Sequence, residues 1–180
     1  MNGLPDILEL QKKKQWTWDE FLNITRQLTV DTDGDGLTDI WGFASSDKAR
    51  LFYSLLHSNN AFLAIDTDIG ETVLNFTSHK VIETFKFIRK IVVEDKVAYI
   101  ASENTSSISQ SLDRMLKDNK VAIIDNGTIN RNISDGEGRA FYPIGPSSSS
   151  YNCTFKKQGY YAVPNMVEYL EEIAIILKTS

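Results

Sequence analysis

Apolar residues at helical spacing mark the first long helix that the chain predicts. Thr17 and Glu20 have the spacing of a capping box, in which each side chain bonds a free backbone N–H group at the start of a helix. The residues that follow place one apolar side chain on each turn, at Phe21, Ile24 and Leu28. We therefore expect a helix from about Trp18 to Leu28, with one side turned toward a core.

Four further segments have a helical pattern. One begins after Ser78, a good N-cap residue, and carries an apolar stripe at Val81, Phe85, Ile88 and Val92. The other three cover about Leu51–His57, Ser107–Lys117 and Val167–Leu177.

Short apolar runs alternate with these helices and predict strands. Val121 to Ile124 is continuously apolar, as a strand buried on both faces would be, and a turn signal follows it. The other candidate strands are Ile40–Ala44, Thr72–Phe76, Arg139–Ile144 and Gly159–Val163. Interleaved helices and strands indicate the α/β class, and residues 1–180 are enough for one domain with its own core.

Composition and charge narrow the classes of function. The net charge of −5 and the absence of a basic patch argue against nucleic-acid binding. No apolar run reaches the roughly 20 residues that span a bilayer, and the single cysteine, Cys153, excludes an internal disulfide. Neither a nucleophile elbow, nor a zinc-protease helix, nor a phosphate-binding glycine loop is present. We therefore expect that the protein is not an enzyme, with one alternative left open: a glycosidase pair of carboxylates, which need only converge in the fold.

An acidic loop carries the most specific pattern in the chain. Carboxylates alternate at Asp31, Asp33 and Asp35 and recur at Asp39, while Leu37 can add its backbone carbonyl. Calcium takes about 6–8 oxygen ligands, and alternate positions of a coiled loop point toward one centre. These five residues are therefore the predicted ligands of a structural calcium ion.

The acidic loop also has two other interpretations. It departs from an EF-hand at its twelfth position, where Gly42 replaces the bidentate glutamate, which argues against a calcium sensor. It could be a solvated turn, since Asp and Gly are ordinary turn residues. It could also organise the docking face of a calcium-dependent interaction module.

Several segments, in order, resemble the extracellular solute-binding proteins of bacterial ABC importers, the sugar-binding type that includes maltose-binding protein. Trp16 to Phe21 resembles the family's Thr-Trp-Asp-Glu helix start, although Trp16 stands where proline is usual. The acidic loop followed by Trp41 to Phe43 is similar to an insertion that many members carry. Further similar segments are Asn119–Gly127, Tyr142–Pro146 and Gly159–Pro164.

The resemblance implies one lobe of a two-lobed, type II periplasmic-binding-protein-like fold. The amino-terminal lobe, a signal peptide or lipid-anchoring cysteine, and the final helices would lie outside this chain. Members bind a solute, usually a sugar, between lobes that close on it, and then deliver it to an ABC permease. The implied location is extracellular, as a membrane-anchored lipoprotein, or periplasmic.

The resemblance also suggests where the solute would bind. The turn after the strand at Val121–Ile124 offers Asn126, Gly127 and Thr128, with Ile129 where the family often has a stacking tryptophan. The loop after the strand at Ile40–Ala44 offers Ser45, Ser46 and Asp47, with Arg50 nearby. Either Tyr160 or Tyr161 could line the cleft, because neighbouring strand residues face opposite sides. Trp16 and Trp18 are predicted to be packing residues.

Overall fold

The computed structural model describes residues 4–101, 108–125 and 140–152. Five α-helices lie within these ranges: α1 (Ile7–Lys12), α2 (Trp18–Leu28), α3 (Lys48–Ser58), α4 (His79–Arg89) and α5 (Ile108–Lys117). A π-helical turn, Lys90–Glu94, continues α4. The strands are β1 (Trp41–Ser45), β2 (Ala64–Asp66), β3 (Thr72–Leu74), β4 (Ala98–Ile100) and β5 (Val121–Asp125).

A parallel sheet lies at the centre of the described fold. Its strand order is β4-β1-β5, and β1 is parallel to both of its neighbours. Parallel strands need crossover connections, and here α3, α4 and α5 lie between consecutive strands of this sheet. The structure therefore confirms the α/β class, with a parallel sheet.

Helix α2 packs on β1 and forms the main core. Its boundaries match the sequence prediction, and the Thr17 hydroxyl accepts a hydrogen bond from the Glu20 N–H group. Trp18 stacks on Phe87 with 4.2 Å between ring centroids, and its indole N–H donates to the Ser58 hydroxyl at 2.9 Å. Trp16 and Trp18 are both buried, so the prediction that they are packing residues is confirmed.

The prediction of a buried apolar stripe on α4 is wrong at Phe85. Val81 is buried, but Phe85 is 48% exposed and stacks only on Phe52 near the surface. The buried face instead includes Thr84 and Phe87. Thr84 tolerates burial because its hydroxyl donates to the Lys80 carbonyl within the same helix.

Two predicted strands differ from the structure. The strand predicted at Thr72–Phe76 ends earlier, at Leu74. This strand, β3, pairs with β2 in an exposed antiparallel hairpin. Residues 140–143 form no strand, and Ile144 makes a single bridge to Thr17. The predicted strand at Gly159–Val163 and the helix at Val167–Leu177 lie outside the described residues.

Candidate functional site

The carboxyl ends of β1 and β5 meet at one edge of the parallel sheet. Ser45 is paired with Asp125 in the register of these two strands. The chain continues from β1 into Ser46 and Asp47, whose N–H and side-chain groups therefore lie beside the end of β5. We call Ser45, Ser46, Asp47 and Asp125 the polar edge. Open α/β sheets bind their ligands outside the carboxyl ends of strands, so the polar edge is a candidate binding site.

The loop after β1 is fixed by hydrogen bonds at both of its ends. The Ser46 N–H group donates to the Asp125 carbonyl at 3.1 Å. Asp47 caps α3, since its Oδ1 accepts from the Arg50 N–H group at 2.6 Å. This cap explains why α3 begins at Lys48, three residues before the predicted start.

The Asp125 carboxylate is the hub of the polar edge. Its Oδ2 accepts from the Tyr142 hydroxyl at 2.6 Å and lies 3.2 Å from the Ser45 hydroxyl. The Ser45 hydroxyl is also 3.2 Å from the Asp47 carbonyl, so its single proton is divided between two acceptors. One carboxylate oxygen therefore holds together β1, β5 and the segment at Tyr142.

Burial shifts the titration of both acidic groups in this cluster. The pKa of Asp125 is raised because burial penalises the carboxylate, an effect that the Tyr142 hydrogen bond and the Arg50 charge oppose. Burial also raises the pKa of Tyr142 well above its ordinary value, and the Asp125 charge adds to this effect. Tyr142 therefore remains a hydrogen-bond donor throughout the physiological pH range.

The structure brings together some of the predicted contact residues. Ser46 and Asp47 lie at the polar edge as expected, whereas Asn126, Gly127, Thr128, Tyr160 and Tyr161 fall outside the described residues. Ser45, which the sequence placed in the same loop, lies there too, whereas sequence reasoning missed Asp125 and Tyr142 as site residues. Asp125 stood out only as part of a turn signal, and no local pattern connects it to a tyrosine 17 positions later.

The acidic loop gathers three of its predicted calcium ligands. Asp31, Asp33 and Asp39 each place a carboxylate oxygen within 4.8 Å of the other two. Carboxylate oxygens are the hard donors that calcium prefers, so this set fits the ion. The Asp35 carboxylate instead accepts from the Leu37 N–H group at 2.7 Å.

Backbone hydrogen bonds hold the acidic loop in a coiled shape. Asp31 accepts from the N–H groups of Gly34 at 2.7 Å and Gly36 at 2.8 Å, and both glycines have positive φ angles. Asp39 accepts from the N–H and hydroxyl groups of Thr32. These hydrogen bonds lower the pKa of Asp31 and of Asp39, because they stabilise the charged form.

A groove of about 520 Å³ lies elsewhere on the described surface. Its walls include Trp18, Phe87, Lys14 and Gly145, and none of the polar-edge residues lines it. The groove also holds a half-buried carboxylate, Glu83, which accepts hydrogen bonds from the Asn59 amide at 3.0 Å and the Ser147 hydroxyl at 2.9 Å. We take the polar edge as the candidate site because it lies at the carboxyl ends of two parallel strands, where open α/β sheets bind their ligands.

The comparison with solved structures finds a weak structural likeness. No protein-family profile matches the chain. No curated protein matches it either. A solved structure described as the maltose/maltodextrin-binding domain MalE from Bdellovibrio bacteriovorus, bound to maltotriose, is similar with a TM-score of 0.45 and 24% identity. The matched region covers 61% of this chain and 27% of that chain, so this chain spans about a quarter of the neighbour.

The helices of the described residues are all too short or too polar to span a membrane.

Proposed function

We propose that this chain forms one face of the ligand cleft of an extracellular solute-binding protein of an ABC importer, and that the solute is a carbohydrate. The observation that carries the proposal is the polar edge, where Ser46, Asp47 and Asp125 meet at the carboxyl ends of two parallel strands. The ordered sequence motifs that resemble the sugar-binding family point to the same edge.

The chemistry of the polar edge suits a ligand rich in hydroxyl groups. Carboxylates such as Asp47 accept hydrogen bonds from hydroxyls, and Ser46 can donate as well as accept. Asn126, Gly127 and Thr128 follow Asp125 directly in the chain, and with Tyr160 and Tyr161 they are further proposed contacts. The proposed partner is the permease of the importer. The proposed location is extracellular, as a lipoprotein or a periplasmic protein.

Calcium is the proposed structural cofactor of this protein. Asp31, Asp33 and Asp39 would supply side-chain oxygens, with Asp35 and the Leu37 carbonyl as the remaining proposed ligands. The bound ion would neutralise a cluster of carboxylates between α2 and β1 and so stabilise that connection. Nothing in the described part of the chain favours a calcium-dependent docking module.

Thermal unfolding of the 180-residue chain with a panel of mono- and oligosaccharides, maltotriose included, tests the proposed function. One lobe supplies half of the contacts, so we expect weak binding and a need for millimolar sugar. A ligand at about 30 times its Kd stabilises a protein by roughly 2 kcal/mol. For a chain of this length that corresponds to a rise in Tm of about 4–8 °C.

Two variants make the sugar experiment specific to the polar edge. Ser46→Ala removes a hydroxyl at the proposed site, whereas Asp68→Asn changes an exposed carboxylate on the β2–β3 hairpin. The proposal expects the sugar-dependent shift to shrink in Ser46→Ala and to persist in Asp68→Asn. The absence of a shift with every sugar, or an equal shift in both variants, would contradict it.

A further inference from the structure

The Asp125 carboxylate is placed where three separate parts of the chain meet. It ends β5, it faces Ser45 at the end of β1, and it accepts from Tyr142, which belongs to neither strand. The main-chain carbonyl of Asp125 also accepts from the Ser46 N–H group. The same residue therefore contacts the polar edge through both its side chain and its backbone.

We propose that Asp125 is a positioning residue whose carboxylate holds the ends of β1, β5 and the Tyr142 segment in the arrangement that binds solute. The inference rests on the proposed function, because it concerns the same polar edge. It assigns to Asp125 no direct contact with the solute. The residue acts through Ser45, Ser46 and Tyr142.

We call the hydrogen-bonded group formed by Asp125, Ser45, Ser46 and Tyr142 the clamp. The charges around Asp125 explain how its protonation controls the clamp. Tyr142 and Ser45 donate to the carboxylate, and the Arg50 cation on α3 favours its ionised form. The Asp47 carboxylate disfavours the ionised form, as does burial. A proton on Asp125 would weaken the hydrogen bonds that it accepts from Tyr142 and Ser45, because a neutral carboxyl is a weaker acceptor than a carboxylate. Ligand binding should therefore weaken as Asp125 becomes protonated.

The sign of the pH effect on folding follows from the raised pKa. The folded chain keeps a proton on Asp125 at pH values where the unfolded chain, titrating near the ordinary value of 3.8, has lost it. The contribution of this residue to stability is therefore greatest below that value. It falls as the pH rises through the interval up to the folded pKa.

The test measures the clamp without any solute. NMR titration of carboxyl carbons gives the midpoint of Asp125, and the amide signal of Ser46 reports on the contact to the end of β5. We expect Asp125 to titrate above pH 3.8 and the Ser46 amide to follow the same midpoint. In Asp125→Asn the Ser46 amide should lose this transition, whereas in Asp68→Asn it should be unchanged.

Tyr142→Phe distinguishes a clamp from a merely buried acid. Because the Tyr142 hydrogen bond lowers the pKa of Asp125, its removal should move the midpoint upward, with the Ser46 amide following it. This variant keeps the aromatic ring, so the readout does not depend on Asp125→Asn folding. A midpoint at or below 3.8, or one that Tyr142→Phe leaves in place, would overturn the inference.

Solute binding provides the second arm of the test. With the saccharide that gives the largest thermal shift, we expect Asp125→Asn to bind about tenfold more weakly, the loss typical of a hydrogen-bond network to a charged group. Unchanged affinity in Asp125→Asn would refute the positioning role. If no saccharide binds at all, the proposed function fails, while the carboxyl titration still decides whether the clamp exists.

Discussion

The contact between α2 and β1 gives the sharpest prediction about what holds the polar edge in place. Gly42 lies in β1 against the backbone of α2, and a Cβ atom built on it would lie 2.2 Å from the Thr25 carbonyl oxygen. The same atom would be 2.7 Å from the Thr25 Cα. Ordinary carbon contacts are about 3.5–4.0 Å, so Gly42→Ala requires a displacement of roughly 1 Å or more.

That displacement would have to move main chain, because the obstructing atoms belong to the α2 backbone. Thr25 is fully buried, and its hydroxyl is bonded to the Phe21 carbonyl at 2.8 Å, so the helix is fixed by its own contacts. Insertion of a methyl group into a packed core costs typically 1–3 kcal/mol. A clash with rigid backbone lies at the top of that range, so we expect Gly42→Ala to destabilise the chain by about 3 kcal/mol.

Urea unfolding followed by tryptophan fluorescence measures this loss, because Trp16 and Trp18 are buried in the same core. Gly70→Ala is the matched control: it makes the same chemical change on the exposed hairpin, where a Cβ would meet no atom within 4 Å. Gly70 has a φ of +80°, so its replacement should cost only about 1 kcal/mol. Equal losses in the two variants, or a loss below 1 kcal/mol in Gly42→Ala, would refute the close-contact argument.

The remaining predictions concern the acidic loop and the cap of α3. Removal of calcium with a chelator should lower the Tm, and addition of calcium should restore it. The difference should persist at pH 5, since the lowered pKa values of Asp31 and Asp39 keep both carboxylates charged there. Asp33→Asn should reduce the calcium-dependent shift, and a Tm independent of calcium in the unmodified chain would refute the metal proposal. Asp47→Ala should cost about 1 kcal/mol in urea unfolding, because α3 loses its N-cap. Thr17→Ala should cost a similar amount at α2, but only Asp47→Ala should also weaken sugar binding. Equal effects of the two variants on sugar binding would place the solute away from the polar edge.

Local sequence determined the elements whose signals lie within a few residues. Thr17 and the apolar positions after it specify α2, and the observed helix has the predicted bounds. The continuous apolar run from Val121 to Ile124 specifies strand β5, but the prediction that it is buried on both faces is wrong, because only Val121 is buried and the other residues of the strand are half-buried. The α/β class followed from the same information, because caps and hydrophobic periods depend on near neighbours in the chain.

Tertiary structure decided the rotation of α4 and the absence of a strand before Ile144. The sequence pattern placed Phe85 on the buried face, but the stack of Trp18 on Phe87 fixes the helix in a different orientation. Arg139–Ile144 had the composition of a strand, yet residues 140–143 have no strand partner within the described fold. A strand exists only when another segment pairs with it, and no local pattern supplies that partner.

Some residues of the candidate site could be predicted from local sequence, and others depend on contacts between distant parts of the chain. Ser46 and Asp47 could be predicted because polar residues directly after a buried strand commonly line a cleft. The role of Asp125 could not, since its partners Ser45 and Tyr142 are 80 and 17 positions away. In the sequence, Gly42 was notable only because it stands where an EF-hand loop has its glutamate. The fold shows that α2 leaves no room for a side chain at this position. Sequence alone specified the helices and strands through short-range hydrogen bonds and periodicity, and only the packed fold established these long-range contacts.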